Sequence, residues 1–494
     1  MLSRIMRFLS CHKDDIVKQL LLLTLATLCL AAPASAQIPS FQHVILVIQE
    51  NRTPDNLFQG LCTTPTACST KPSAGQYNIQ TMGWYDKTSS TLTTNPTAVP
   101  FGLGWDMLHA HAAFVTECDI DMYGACAMDG AAHAHCLSYS QPCPTKAAYS
   151  YVDPGAVQPY VDIAKTYGWA NYMFQTNQGP SFSAHQFLFG ATSAPSAADD
   201  HSGLFVAGEG TVVGCNSPPT TVVPVINPQG VEFTRVYPCF DHQTMADLLE
   251  AKGVTWRYYG STVGTYRGPN PDGIWMAPNS ISRICVPVNQ KCTGAEWTAN
   301  LVFTPSAVLS DVSTPNCNLQ GVSWVIPDSY DSDHSGTPKN VDGPSWVASI
   351  VNAVGNSPCT NKDGSSYWSS TAIIIVWDDW GGFYDHESPT IEPFPQGGFQ
   401  MGFRVPMLVV SAYTGPASIG NSREDFGSVM RFIERNFGIM EGALTFADAR
   451  GGTSDLGEYF SLGQPARPFQ AINAPLSAKH FLTKKPSGLP VDND

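Results

Sequence analysis

Two apolar segments of this chain each run straight into acidic and amide side chains, a grouping that can hold a hard cation or handle a phosphate. The first, HVILVIQEN at residues 43 to 51, ends on Glu50 and Asn51. The second, AIIIVWDDWGGFYDH at 372 to 386, passes through Asp378 and Asp379 to Asp385 and His386. Carboxylate and amide oxygens are the ligands that hard divalent ions prefer. Between them, NYMFQTNQGPSFSAHQFLFG (171 to 190) brings Gly179-Pro180-Ser181 to the start of a helix-like run, with His185 four residues on. A serine at that turn could attack phosphorus, with backbone N–H groups and the helix dipole favouring an anionic substrate. Its simpler role is that of a helix N-cap. The segment is not G-x-S-x-G, so it does not support an α/β-hydrolase nucleophile elbow. Two further segments carry imidazoles: WDMLHAHAAF with Asp106, His109 and His111, and VIPDSYDSDHSG with Asp333 and His334. Near a phosphoryl group such imidazoles could neutralise oxygens or protonate a leaving group. His109 and His111 are two residues apart and in a helix would point to different sides, so at most one of them faces a site.

The elements that must position these groups follow from hydrophobic patterning. Unbroken Val, Ile and Leu runs suit strands buried on both faces, as in a mostly parallel sheet. Ligands of open α/β sheets bind just beyond the carboxyl ends of the strands. Acids that follow two strands distant in sequence can therefore share one site. Asp379 is the weaker candidate, because adjacent strand residues face opposite sides unless the strand has already ended.

The rest of the chain speaks to where the protein works. Arg4, Arg7, Lys13 and Lys18 precede the apolar stretch LLLTLATLCLAA, and Ala34-Ser35-Ala36 offers small residues for cleavage. Residues 1–36 thus read as a signal peptide, cut before Gln37. Residues 37–494 read as a single domain with loop insertions near 61–100, 193–240 and 260–320. No later segment approaches roughly 18 consecutive apolar residues, so no stable membrane span is expected in the mature form. Of 14 cysteines, Cys11 and Cys29 lie in the signal, which leaves 14 − 2 = 12. Close spacing suggests bridges Cys62–Cys68, Cys285–Cys292 and Cys215–Cys239, while the pairing among Cys118, Cys126, Cys136 and Cys143 stays open. An oxidising compartment, secreted or periplasmic, fits this usage. The formal charge of −15 argues against a nucleic-acid partner and against electrostatic adhesion to anionic membranes.

The order of these segments resembles the bacterial and fungal phosphoesterase family that contains non-haemolytic phospholipases C and respiratory-burst-inhibiting acid phosphatases. ENRTPDNLF (50 to 58) is similar to its opening Glu-Asn-Arg-Ser-Phe-Asp motif, and GPS (179 to 181) to its nucleophile turn. DSDHSGTPKNVDGPSWV resembles its acidic–His–Pro segment, and WDDWGGFYDH its Tyr-Asp-Glu-Asn-Gly-Gly-Phe-Phe-Asp-His motif. GFRVPMLVVS and DFGSVMRFIERNFG match two further stretches. The resemblance implies an alkaline-phosphatase-like α/β fold, a three-layer sandwich around a mostly parallel central sheet with disulfide-stapled loop insertions. It implies a divalent metal ion held by Glu50, Asn51, Asp378 and Asp379, with Ser181 as the attacking group. His109, His334, Asp385 and His386 would line the phosphate pocket. Oxygen ligands suit Ca²⁺, Mg²⁺ or Mn²⁺, and the superfamily also accommodates Zn²⁺.

The chain also departs from the family. Where the family reads Gly-Pro-Thr-x-Pro-Asn-Arg, this chain has Gly179-Pro180-Ser181-Phe182-Ser183-Ala184-His185, without the Asn-Arg pair. Asp-His-x-Ser becomes Asp425-Phe426-Gly427-Ser428, without its histidine. No sulfatase Cys-x-Pro-x-Arg is present at the nucleophile turn. The expected function is hydrolysis of a phosphate ester, either a small phosphomonoester or a phospholipid headgroup, through a phosphoseryl intermediate. The short stretch after the last motif favours a phosphatase or compact phosphodiesterase. The alternative is a catalytically silent secreted binding or adhesion protein on the same fold.

Overall fold

The two apolar runs are hydrogen-bonded neighbours at the middle of one sheet. In the computed structural model, the described residues are 39–489, apart from 65, 122–124, 209–212, 266, 267, 272, 391–400 and 451–453. The expected signal peptide, 1–36, lies outside them. Among the described residues the central sheet has eight strands: β1 (His43–Gln49), β2 (Gly168–Ala170), β3 (Trp256–Tyr259), β4 (Leu301–Val302), β5 (Val322–Val325), β6 (Thr371–Trp377), β7 (Met407–Ser411) and β8 (Ser418–Gly420). Their spatial order is β4-β3-β5-β1-β6-β7-β2-β8. The five strands from β4 to β6 run parallel, and β7 pairs antiparallel with both β6 and β2. The sheet is mostly parallel, as its hydrophobic runs predict. Every residue of β1 and β6 is buried. Each fully buried aliphatic side chain contributes roughly 1.5–3 kcal/mol, so these two strands are poor candidates for slipping.

Helices cover both faces of the sheet. The relevant ones are α1 (His111–Cys118), α2 (Gln158–Thr166), α3 (Ser181–Gly190), α4 (Gly343–Gly355) and α5 (Phe426–Asn436). Trp324 of β5 donates its indole N–H to Leu188 O of α3 and stacks edge-on against Phe189. Trp377 of β6 meets Tyr160 of α2. The β1 register pairs Leu46 with Trp324 and Gln49 with Trp377. Leu46 and Gln49, three apart, point to opposite faces. Hence α3 lies on one side and α2 on the other, with α5 packed on α3 and α4 on α2. One apolar core runs from Phe41 to Phe481.

Six disulfides staple the loops: Cys62–Cys68, Cys118–Cys126, Cys136–Cys143, Cys215–Cys239, Cys285–Cys292 and Cys317–Cys359. The three bridges expected from spacing are present, the open cluster of four pairs locally, and Cys317–Cys359 is new. Among the described residues, no helix is long and apolar enough to cross a membrane.

Candidate active site

The register that joins β1 to β6 also joins the acids that follow them. Gln49 lies opposite Trp377 and the ladder continues one step, with Asp378 N–H donating to Gln49 O at 3.0 Å. Glu50 and Asp378 therefore sit side by side. By alternation from Leu46 they face the α3 side of the sheet. The strands end there, so the expected alternation does not exclude Asp379. Arg52 N–H donates to Asp379 O at 3.0 Å, and Asn51 N–H to Asp378 Oδ1 at 3.1 Å. Asn51 adopts φ 60 and Gly381 φ 61, and a Cβ on Gly381 would stand 2.3 Å from Asn51 O. Only glycine permits this closeness, which brings Asp379 round to its place. Gly381 N–H in turn donates to Asp379 Oδ1 at 2.7 Å.

Ser181 reaches the same point from α3. It is the first helical residue, with Pro180 as the N-cap, so the capping role is not the one it plays. Its Oγ lies 3.1 Å from Asp379 Oδ2, 3.4 Å from Glu50 Oε2 and 3.5 Å from Asn51 Oδ1. All four residues are fully buried. One hydroxyl has one proton to give, yet three acceptor oxygens crowd it. Asp378 Oδ2, also buried, finds no hydrogen-bond donor. A surplus of acceptor oxygens in a dry place is what a divalent cation satisfies, so Glu50, Asn51, Asp378 and Asp379 fit the expected group.

Two histidines border this cluster. His109 follows a short strand, Trp105–Met107, and its Nδ1 lies 2.7 Å from Met107 O. A carbonyl only accepts, so Nδ1 carries the proton and Nε2 offers its lone pair. Nε2 accepts from Asn51 Nδ2 at 2.8 Å and stands 3.8 Å from Asp379 Oδ2. His334 has its ring centroid 5.9 Å from that of His109, and its Nδ1 donates to Ser335 O at 2.7 Å. His111 turns away to Glu232 Oε1, 3.3 Å distant; His109 precedes α1, so helical spacing is not what parts the two rings.

Asp385 and His386, expected to line the phosphate pocket, make their hydrogen bonds in a second network formed with Asp55, Asn78 and Arg404. Arg404 Nε and Nη2 clasp the Asp385 carboxylate at 3.0 and 2.9 Å, a bidentate pair with every partner buried. His386 Nδ1 lies 2.7 Å from Asp55 Oδ2 and its Nε2 2.9 Å from Asn78 Oδ1. Asp55, Asp385 and His386 lie close enough to suggest a second metal group. The Arg404 guanidinium already supplies the positive charge there, standing 3.5 Å from Asp55 Oδ1. Burial nevertheless raises the Asp385 carboxyl to about 6, against the pull of Arg404. This network fastens loops.

His185 joins the cluster although its sequence context assigns it no role. It lies one helical turn after Ser181 on the same face of α3, with Nε2 3.1 Å from Glu50 Oε1 and 3.8 Å from Asp378 Oδ2. Burial pushes its imidazole down to about 4, with Asp378 pulling the other way. Glu117 of α1 is a second addition. It accepts from Trp380 Nε1 at 3.3 Å, and burial raises its carboxyl to about 8. Asp333 accepts from Tyr160 Oη and Trp377 Nε1, and burial raises it to about 7 despite Arg52. Arg52 itself lies buried over the Phe383 ring and donates to Asp333 O, so it braces the loop.

A family model described as "Phosphoesterase family" matches residues 41–440. Among curated proteins, the chain is 25% identical over 225 residues to a non-hemolytic phospholipase C of Pseudomonas aeruginosa, covering 40% of this chain and 30% of that protein. It is 23% identical over 329 residues to a hemolytic phospholipase C of the same organism, covering 60% and 40%. It is 26% identical over 254 residues to phospholipase C B of Mycobacterium tuberculosis, covering 46% and 45%. The chain thus spans less than half the length of these relatives. A solved protein of the alkaline phosphatase superfamily from Vibrio parahaemolyticus superposes with a TM-score of 0.34 at 10% identity, over 86% of this chain and 71% of that one.

Proposed function

The chain belongs to the Phosphoesterase family, and on that premise we propose that it is an exported phosphoric-ester hydrolase whose attacking group is Ser181. The observation that carries this reading is the convergence of Ser181 Oγ, within 3.5 Å, on oxygens of Asp379, Glu50 and Asn51. A serine hydroxyl buried against carboxylates from two separate strand ends has no packing role that an alanine would not fill. Asp379 accepts the hydroxyl's hydrogen bond and stands ready for its proton. Oγ attacks phosphorus, the bond to the leaving alcohol breaks, and the phosphoryl group rests on Ser181 until water releases it. Asn51 keeps His109 oriented, and His109 and His334 border the space beside Ser181, where either ring would have to be protonated at Nε2 to meet a phosphoryl oxygen. A divalent cation held by Glu50, Asn51, Asp378 and Asp379 would lower the hydroxyl's pKa and offset charge on those oxygens.

The substrate class is a phosphate ester, with the relatives' names pointing to a phospholipid headgroup and a small phosphomonoester as the other member. Twelve cysteines paired in six bridges support work in an oxidising compartment. Residues 37–494 act as one catalytic unit. The test is a panel of p-nitrophenyl phosphate, bis-p-nitrophenyl phosphate and p-nitrophenylphosphorylcholine, with and without chelator, across pH. Chelator-sensitive turnover of at least one ester is expected, and its abolition in Ser181→Ala. Full turnover in that variant overturns the assignment of the nucleophile.

A further inference from the structure

We propose that His185 is a direct nitrogen ligand of the cation beside Glu50 and Asp378, and that it biases the site toward a transition metal over Ca²⁺ or Mg²⁺. This rests on the reading of the cluster as a cation site and adds a residue and a selectivity to it. The geometry comes from α3, whose first residue is Ser181. Four residues later a helix returns to the same face, so the nucleophile and the imidazole project together toward the ends of β1 and β6. One atom each from Glu50, His185 and Asp378 can be chosen with all three within 4.8 Å of one another. His185 Nε2 stands 3.1 Å from Glu50 Oε1 and 3.8 Å from Asp378 Oδ2, between two carboxylates that belong to different strands.

A second observation points to a ligand. His185 and Asp378 are fully buried, and neither His185 Nδ1 nor Asp378 Oδ2 has a hydrogen-bond partner. Buried polar atoms left without partners are costly, and a cation drawn in between Nε2 and Oδ2 satisfies the carboxylate directly. A ring that served only packing would sit among carbons. Trp275 lies near-parallel to the imidazole, with ring centroids 6.4 Å apart. Hard ions such as Ca²⁺ and Mg²⁺ favour all-oxygen shells, whereas imidazole suits Zn²⁺, Fe and Cu, and Mn²⁺ tolerates it. His185 is also the position where this chain departs from the family's Asn-Arg.

The experiment compares wild type, His185→Gln, His185→Asn and Asp378→Asn after chelator stripping, titrating Zn²⁺, Mn²⁺ and Ca²⁺ separately by calorimetry. Wild type is expected to prefer Zn²⁺ and Mn²⁺ to Ca²⁺. Each His185 variant should lose roughly tenfold or more in Zn²⁺ affinity while Ca²⁺ affinity barely moves. Pulsed electron paramagnetic resonance of Mn²⁺-loaded wild type should show modulation from an imidazole nitrogen, lost in His185→Gln. Cation binding that Asp378→Asn abolishes, but both His185 variants leave unchanged in affinity and preference, overturns the proposal and leaves the proposed site standing. Wild type that binds none of the three ions overturns both. If neither His185 variant folds, absence of nitrogen modulation in wild type overturns the proposal by itself.

Discussion

Gly381→Ala tests the claim that one close backbone approach sets the position of Asn51 and Asp379. Gly381 has φ 61, and an added Cβ would lie 2.3 Å from Asn51 O and 2.8 Å from both C and Cβ of Asn51. Two costs follow. A left-handed conformation costs a non-glycine residue about 1–2 kcal/mol. Forcing a methyl group into backbone atoms in a packed interior costs about 1–3 kcal/mol more. Gly364 separates the two, since it has φ +85 and no atom within 4 Å of its added Cβ. Gly364→Ala should carry only the conformational cost, partly offset by about 0.4–1 kcal/mol from the stiffer unfolded chain. Urea unfolding followed by tryptophan fluorescence and far-UV circular dichroism should therefore find Gly381→Ala less stable than Gly364→Ala, by about 1–3 kcal/mol. Where the Gly381 variant stays folded, turnover should fall by about tenfold or more, because Asn51 Oδ1 stands 3.5 Å from Ser181 Oγ and must move with its backbone. Equal stability of the two variants, or full activity in Gly381→Ala, refutes the reasoning.

Ser181→Ala should lower turnover by at least about 10³-fold while the melting temperature moves only a few degrees, since the crowd of acceptors loses one oxygen; residual activity near wild type points to another nucleophile. Arg404→Ala strands the Asp385 and Asp55 carboxylates in the interior, at a cost of about 3–5 kcal/mol. Asp385 is already raised to about 6, and without Arg404 it rises further. A raised carboxyl favours the fold at low pH and loses that contribution as pH rises through its folded value, so the loss in denaturant unfolding should be larger at pH 8 than at pH 5. Glu117, raised from 4.5 to about 8 by burial, contributes in full below its ordinary value and loses that contribution as pH climbs through 8. Glu117→Gln should hence gain on wild type in melting temperature between pH 5 and pH 9, and parallel curves would contradict a protonated Glu117.

The positions of Glu50 and Asp378 were legible because each ends an unbroken apolar run, and such runs become adjacent parallel strands with their carboxyl ends together. Asp379 was less so, because its reach depends on Gly381 lying against Asn51, a contact between residues 330 positions apart in the chain. Ser181 was visible as a turn residue, but its place at the first helical position instead of the cap is decided by the extended Pro180. The sequence alone gives His185 no role, since an imidazole at that spacing reads equally well as a core residue until the carboxylates opposite it are known. Short-range disulfides followed from spacing. Cys317–Cys359, at a separation of 42, depends on how the chain returns beside α4, which no local pattern encodes.

Asp385 and His386 bond within a network of their own, and that network has a physical consequence. Each long motif divides its work: Glu50-Asn51 and Asp378-Asp379 build the cluster, and the residues just after them tie the two loops together. Thr53 Oγ1 donates to Tyr384 O at 2.7 Å, His386 N–H to Asp55 Oδ2 at 3.0 Å, and Asp55 N–H to Asp385 Oδ2 at 3.4 Å. Arg404, from the segment leading into β7, then clasps Asp385 and also donates to Asn78 O and Asn171 O at 2.8 Å. Five stretches of chain are thereby locked around the ends of β1 and β6 with buried hydrogen bonds, the Asp385–Arg404 pair charge-assisted. Acceptors that crowd one another repel, and loops left free would spread until the oxygens separated. The Asp385–Arg404 network opposes that spreading, so the cluster is held at short distances in advance of any ligand, which is the preorganisation that electrostatic catalysis requires.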